Sequence, residues 1–174
     1  MAEQPRTTPL VPDDFVVPTE LRATSFRLEP LGPEHNARDH QAWMSSIAHL
    51  QTTPGFEGRG WPPDEGFSPE RNLADLTEHA DEFERRVAFA YTVLAADSDD
   101  VIGCVYVDPG DRDGHASIRS WVRADVAELN ANLQKDLGMD DVDLEIVAYG
   151  PGIGMLKSDS PVAARIASAL GNGV

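Results

Sequence analysis

Apolar side chains recur along this chain with two different spacings, and the changes between them predict alternating strands and helices. Residues 26–31 alternate apolar and polar positions, as a half-buried strand does. Trp43, Ile47 and Leu50 follow at spacings of four and three residues, which indicates one face of a helix. Residues 51–67 contain four glycines and three prolines and therefore predict a loop.

The helix that begins after this loop has the clearest signals. Ser68 is a typical N-cap residue, and Pro69 suits the first helical position because an N–H there has no partner within the helix. The apolar positions that follow share helical spacing and predict one buried stripe. They are Leu73, Leu76, Ala80, Phe83 and Val87.

Three strands are predicted next. Residues 89–94 and 101–107 are apolar runs joined by the polar segment 95–100, a pattern typical of a hairpin. Residues 116–123 alternate between two faces and form the third strand.

The remaining pattern predicts a helix, a strand and a second helix. The first helix stripe starts at Val126, the strand covers residues 144–149, and Ser160 opens the final helix. The element order is therefore β-α-α-β-β-β-α-β-α. An antiparallel meander followed by a right-handed β-α-β crossover predicts a mixed sheet, so the fold class is α/β in the mixed α+β sense.

Composition narrows the range of partners. The 174 residues include 30 acidic and 14 basic side chains, a net charge of −16, and the arginines are scattered. Because such a surface repels phosphate, we expect no nucleic-acid partner. Cys104 is the only cysteine, which excludes an internal disulfide. No apolar run is long enough for a signal peptide or a membrane span, so we expect a cytoplasmic protein with no membrane partner and no metal site.

From about residue 20 to 128 the chain resembles GNAT-type N-acetyltransferases. The resemblance rests on FRLEPL as the opening strand, VIGCVYV as the third strand and SIRSWVR as the fourth. In that family the fourth and fifth strands splay apart, and the gap admits the pantetheine arm of acetyl-CoA. The resemblance therefore implies a GNAT-like mixed sheet, acetyl-CoA as co-substrate and a small-molecule amine as acceptor. Trp121, Val122 and Arg123 would bind the co-substrate, with backbone amides facing the thioester carbonyl.

The chain departs from the family where the fourth strand ends. The family has a glycine-containing segment there, whose amides bind the diphosphate at a helix start. Residues 123–128 contain no glycine and two carboxylates, which stabilise the helix start themselves and repel a diphosphate. The acidic residue that often serves as base on the fourth strand is also absent, and Ser117 lies near its position.

Two side chains are candidates for proton transfer. His115, at the start of the fourth strand, has the chemistry of a base near neutral pH, and Tyr106 has that of a proton donor. The alternatives are a surface histidine and a packing tyrosine. Trp43, Phe56 and Trp61 form either an acceptor groove or plain anchors for the helix and loop, and we favour the anchors.

The tail, from about residue 129 to 174, resembles part of DsrE-like sulfur-relay proteins, most clearly in LEIVAYGPGIGMLKSDSPVA. The reactive cysteine of that family has no counterpart there, and Cys104 lies in an apolar strand that predicts an inert, buried thiol. The organisation we expect is an extended N-terminal arm over residues 1–24. A single GNAT-like domain would follow over residues 25–174, in which 129–174 is a DsrE-like helix-strand-helix segment.

Two alternatives to the acetyltransferase remain open. One is a non-catalytic GNAT-fold or chimeric interaction module, and the other is a DsrE-like sulfur-relay partner that lacks its cysteine. Both resemblances imply that C-terminal strands of the fold are missing. An uncovered sheet edge pairs readily with another chain, which predicts a homodimer.

Overall fold

The computed structural model describes residues 8–11, 13–110, 115–129 and 145–148. Six strands form one sheet in the order of the chain: β1 (Leu21–Arg22), β2 (Phe26–Pro30), β3 (Phe89–Ala95), β4 (Val101–Pro109), β5 (His115–Val122) and β6 (Glu145–Ala148). Three α-helices lie between β2 and β3: α1 (Asn36–Met44), α2 (Ile47–Gln51) and α3 (Pro69–Glu84). Short 3-10 helices cover Pro33–His35 and Ala124–Val126.

The predicted mixed α+β class and the β3–β4 hairpin are confirmed. The direction of the last strand differs from the prediction, because His115 pairs with Ala148 and Ala116 with Val147 in antiparallel register. The expected parallel crossover is therefore wrong for the described strands. Apolar periodicity carries no information about strand direction, and an antiparallel return needs no crossover to the far end of the neighbouring strand.

The two faces of the sheet bury separate clusters. Helices α1 and α3 cover one face, where the largest buried side chains share an aromatic character: Trp43, Phe56, Tyr106 and Trp121. The opposite face buries aliphatic and aromatic side chains of the strands against residues of the N-terminal segment: Val11, Phe26, Leu28, Ile102, Ile118 and Val122. Alternate residues of β5 thus contribute to different clusters, as strand geometry requires.

The N-terminal segment lies against this second face. The Leu10 N–H donates to the Arg86 carbonyl at 2.6 Å, and Arg86 Nη2 donates to the Phe15 carbonyl at 2.7 Å. The Tyr91 hydroxyl donates to the Pro18 carbonyl at 2.9 Å, and Val11 is buried. These bonds hold Leu10, Phe15 and Pro18 on the sheet.

Helix α3 begins as predicted. The Ser68 Oγ accepts a hydrogen bond from the Arg71 N–H at 3.3 Å, and Leu76 is buried. Leu73, predicted to be in the stripe, is 41% exposed, and the polar Asn72 is buried in its place. The reason is that the Asn72 side chain bonds to groups on α1, a contact that apolar spacing does not reveal.

The predicted first helix is divided into two. Helix α1 ends at Met44 and α2 starts at Ile47, so the serines between them form a turn. Ser46 is buried, and its Oγ accepts a hydrogen bond from the Ala124 N–H at 2.9 Å. This contact holds the α1–α2 turn against the end of β5. The glycine-rich turn and the final helix of the prediction lie outside the described residues.

Candidate functional site

The backbone at the end of β5 has a defined orientation. The Arg123 N–H donates to the Ile102 carbonyl at 2.8 Å, and Gly103 is paired with Val122 in the β4–β5 register. Because bonded and non-bonded pairs alternate between antiparallel strands, the Val122 N–H points away from β4. Within the described residues, β6 pairs with β5 only from His115 to Ser117. The Val122 amide therefore faces a stretch of the β5 edge that β6 does not reach.

A cleft of about 490 Å³ lies between this end of the sheet and the α1–α2 turn. Its charged lining residues are Arg38, Asp100, Arg123 and Asp125. Its polar lining residues are Gln41, Ser45 and Ser46. Two arginines and two aspartates leave the lining with no surplus of either charge.

The 3-10 helix after β5 begins with a paired arginine and aspartate. The Asp125 carboxylate accepts hydrogen bonds from Arg123 Nε at 2.9 Å and Nη2 at 2.7 Å. These bonds lower the pKa of Asp125 and raise that of Arg123. Arg123 occupies the N-cap position of this 3-10 helix.

Trp121, one of the predicted co-substrate residues, is entirely buried. Its indole N–H donates to the Tyr106 hydroxyl at 3.3 Å, and its ring lies 6.0 Å from that of Trp61. Val122 is also buried, whereas Arg123 is half-buried at the mouth of the cleft. Of the three residues, Arg123 alone places its side chain in the cleft lining, and Val122 contributes an edge-facing amide.

Tyr106, the predicted proton donor, lies in the helix-side core and is 9% exposed. Burial raises the pKa of its hydroxyl well above the ordinary value, and the neighbouring Cys104 thiol acts in the same direction. The hydroxyl is therefore protonated across the physiological range. Burial likewise raises the pKa of Cys104, which agrees with the predicted inert thiol.

His115, the predicted base, begins β5, and its backbone pairs with Ala148 of β6. Its side chain lies outside the described part of the chain. Trp43 and Phe56 are buried and pack on Trp61, as expected for anchors of the helix and loop.

A second polar cluster, which was not predicted, lies at the start of β5. Arg119 Nε donates to Asp108 Oδ2 at 3.1 Å, and its guanidinium carbon lies 4.6 Å from the centre of the Tyr106 ring. Ser117 is paired directly with Asp108, and both are half-buried. The available signal was the pairing of β4 with β5, which brings these side chains onto one face of the sheet.

Helix α3 adds a histidine above this cluster. The His79 ring lies 5.4 Å from the Tyr106 ring, and its Nδ1 is 3.4 Å from Glu82 Oε2. The contact with Tyr106 joins residues 27 positions apart, so spacing along the chain did not predict it.

The buried carboxylate of Asp39 on α1 belongs to a hydrogen-bond network with α3. Asp39 Oδ2 accepts a hydrogen bond from Asn72 Nδ2 at 3.0 Å, and Asn72 Oδ1 accepts one from the Trp43 indole at 2.9 Å. Burial raises the pKa of Asp39, while Asn72 and nearby histidines act against the rise. The network joins α1 to α3 over the sheet.

Two kinds of feature are absent from the part of the chain that the structure describes. Its side chains include no group of three or more potential metal ligands. None of its helices combines the length and apolar character needed to cross a bilayer.

Solved structures with the same fold are GNAT-family acetyltransferases. RimL, a ribosomal L7/L12 α-N-protein acetyltransferase solved in complex with coenzyme A, is 17% identical with a TM-score of 0.54, and the match covers 71% of this chain and 63% of RimL. The ribosomal-protein-S5-alanine acetyltransferase from Vibrio fischeri is 15% identical with a TM-score of 0.51, and the match covers 87% of this chain and 81% of that protein. The chain thus spans less than two thirds of RimL.

The chain has no detectable relative by sequence among protein families or curated proteins. No protein-family model matches the chain, and no curated protein matches it. The fold is therefore that of the GNAT acetyltransferases, while the predicted DsrE-like character of residues 129–174 receives no support.

Proposed function

We propose that this chain is an acyltransferase that moves an acetyl group from acetyl-CoA to an amine. The observation that carries the proposal is the Val122 amide, which faces the part of the β5 edge that β6 does not reach, in a GNAT fold. A hydrogen-bond donor held by a rigid strand is suited to stabilise the negative charge that develops on a thioester oxygen.

The pantetheine arm of acetyl-CoA fits this site, and the diphosphate does not. A pantetheine arm is uncharged, and the edge-facing Val122 N–H is the backbone donor proposed for its thioester. The diphosphate does not fit, since the helix start after β5 already holds the Asp125 carboxylate. The proposal therefore concerns the thioester end of acetyl-CoA.

Each predicted co-substrate residue has a distinct role in the proposed reaction. Acetyl-CoA supplies an activated thioester whose carbonyl carbon the amine attacks. The Val122 N–H binds the carbonyl oxygen as it becomes negative. Trp121 fixes the strand from the helix side through its buried ring, and Arg123 holds the end of the strand through its N–H bond to the Ile102 carbonyl.

Proton transfer is assigned to His115 as base and Tyr106 as donor. The raised pKa keeps the Tyr106 hydroxyl protonated, so it would act on the departing thiolate as a hydrogen-bond donor rather than as a strong acid. His79 is the described histidine that lies against Tyr106, and Glu82 orients its ring. His115→Gln and His79→Gln are therefore the matched pair of variants. A general base acts only when it is deprotonated, so loss of the acidic limb of the pH–rate profile identifies which histidine is the base.

The acceptor is an amine whose size the fold leaves open. The matched acetyltransferases are named for ribosomal-protein substrates, which favours an amino group of a protein over a small molecule. The net charge of −16 attracts a cationic acceptor in either case. A homodimer formed through a sheet edge stays a prediction.

Calorimetric titration with acetyl-CoA tests the binding step, and thiol release tests the transfer. We expect saturable heat, followed by thiol release when amines are added as short peptides and as small diamines. Absence of heat at millimolar acetyl-CoA contradicts the proposal and favours a non-catalytic GNAT-fold module. Release with diamines alone assigns a small-molecule acceptor.

A further inference from the structure

We propose that the donor is recognised as a pantetheine thioester and that the nucleotide end of coenzyme A contributes no affinity. The inference rests on the proposed acyl transfer and concerns how the same site selects its donor. It follows from the helix start after β5, where the protein's own groups occupy the positions that a diphosphate would need.

The backbone donors at this helix start are already engaged. The Ala124 N–H donates to Ser46 Oγ at 2.9 Å. The Val126 N–H donates to the Arg123 carbonyl at 3.1 Å, and the Ala127 N–H is directed to the Ala124 carbonyl at 3.4 Å. A diphosphate at this position would have to displace protein acceptors from the amides of Ala124, Val126 and Ala127.

The charges point the same way. The Asp125 carboxylate has a lowered pKa and is ionised at neutral pH. It neutralises Arg123 through two hydrogen bonds, and Asp100 lies in the same lining as Arg38. Because the lining has as many carboxylates as guanidinium groups, it offers no net positive charge to a group that carries two negative charges.

Binding of the pantetheine arm at the strand edge requires neither displaced acceptors nor a positive charge. The Val122 N–H lies on β5, before the helix start, and a pantetheine arm carries amides that pair with a strand edge but no charge. The site as built thus favours the thioester end of the donor. Free acyl-pantetheine and acyl-CoA share this end and differ in the nucleotide.

The test compares the affinities for S-acetyl-pantetheine and acetyl-CoA in three proteins. In the unmodified chain we expect dissociation constants within about threefold of each other. Asp125→Asn removes the carboxylate charge and is expected to tighten acetyl-CoA binding about fivefold while leaving S-acetyl-pantetheine within twofold. Asp81→Asn is the matched control, because Asp81 is also an exposed carboxylate bonded to an arginine, at 2.6 Å from Arg85.

The outcomes separate the two proposals. Acetyl-CoA binding more than tenfold tighter than S-acetyl-pantetheine in the unmodified chain overturns the donor inference and leaves acyl transfer standing. An unchanged acetyl-CoA affinity in Asp125→Asn also counts against the inference. If neither thioester binds at millimolar concentration, the proposed acyl transfer itself fails.

Discussion

Strand β5 meets different surroundings at its two ends. At its start the backbone is paired on both sides, with β4 and β6, and the side chains of Ser117 and Arg119 are half-buried among polar groups. At its end β6 pairs with no described residue after Ser117, yet Trp121 and Val122 are almost wholly buried. On the side of the sheet that faces the helices, the start of β5 therefore has polar side chains and its end has the apolar Trp121, while the Val122 N–H points to the strand edge.

The two ends of the strand are therefore suited to different roles, one as a rigid backbone donor and the other as a support for ionisable side chains. Burial of Trp121 and Val122 holds the backbone rigid, which is what an N–H must be in order to stabilise charge without reorganising. The polar end holds ionisable side chains near the sheet surface, where we propose that protons are transferred. The predictions below test whether the two ends behave differently when each is altered.

The largest expected effect is loss of stability at the apolar end. Trp121→Ala removes a fully buried ring and its hydrogen bond to Tyr106, and we expect a loss of about 3–5 kcal/mol in the free energy of unfolding. Ser117→Ala, at the polar end of the same strand, should change it by less than about 0.5 kcal/mol. Urea unfolding measures both, and equal losses would remove the contrast between the ends.

The second effect concerns the edge-facing amide. Val122→Pro deletes an N–H that points away from β4, so the β4–β5 ladder keeps its bonds, and we expect thiol release to fall at least about 100-fold. Trp121→Pro deletes the neighbouring N–H, which faces β4, and should abolish the fold. Circular dichroism must show a folded Val122→Pro protein for the comparison to count. A folded variant with full activity would refute the role of this amide.

The choice of Val122 for this test depends on a feature that the sequence alone does not predict. The Ser68 cap and the β3–β4 hairpin were predictable, because each depends on residues that are close along the chain. The orientation of the Val122 amide was not, since it depends on the register of β5 with β4. The resemblance to GNAT proteins indicated the position, and periodicity alone did not.

Other parts of the site were hidden for the same physical reason. Asn72 takes a core position expected for Leu73 because its partners, Trp43 and Asp39, lie on another helix. The contact between His79 and Tyr106 likewise joins a helix to a strand. Such contacts depend on packing between elements, and a pattern within one element does not encode them.

A third prediction tests the polar end through Arg119. Arg119→Met removes the bond to Asp108 and the stacking on the Tyr106 and Phe56 rings, and we expect a loss of about 1–2 kcal/mol in unfolding free energy. Arg85→Met is the control, because the exposed Arg85–Asp81 pair should contribute less than about 0.5 kcal/mol. A loss of the size expected for Trp121→Ala would mean that the polar end is as structural as the apolar one.

The smallest effect is a pH dependence of the free energy of unfolding, which we attribute to the buried Asp39 on α1. Burial raises the native pKa of Asp39 above its ordinary value of 3.8. Its stabilising contribution is therefore fully present below that value and is lost as the pH rises through the native pKa. Asp39→Asn cannot ionise, so the stability of the variant relative to the unmodified chain should rise between about pH 4 and 7, by about 1.4 kcal/mol for each unit of pKa difference. Urea unfolding at both pH values is the measurement, and a falling relative stability would reverse the sign.

The claim that the Val122 amide receives the donor is tested most directly by following backbone amide resonances while S-acetyl-pantetheine is added. We predict that the Val122 amide shifts on binding, whereas the Arg119 and Trp121 amides, which face β4, shift far less. Shifts confined to residues distant from β5, or equal shifts at Val122 and at the two β4-facing amides, would contradict the account.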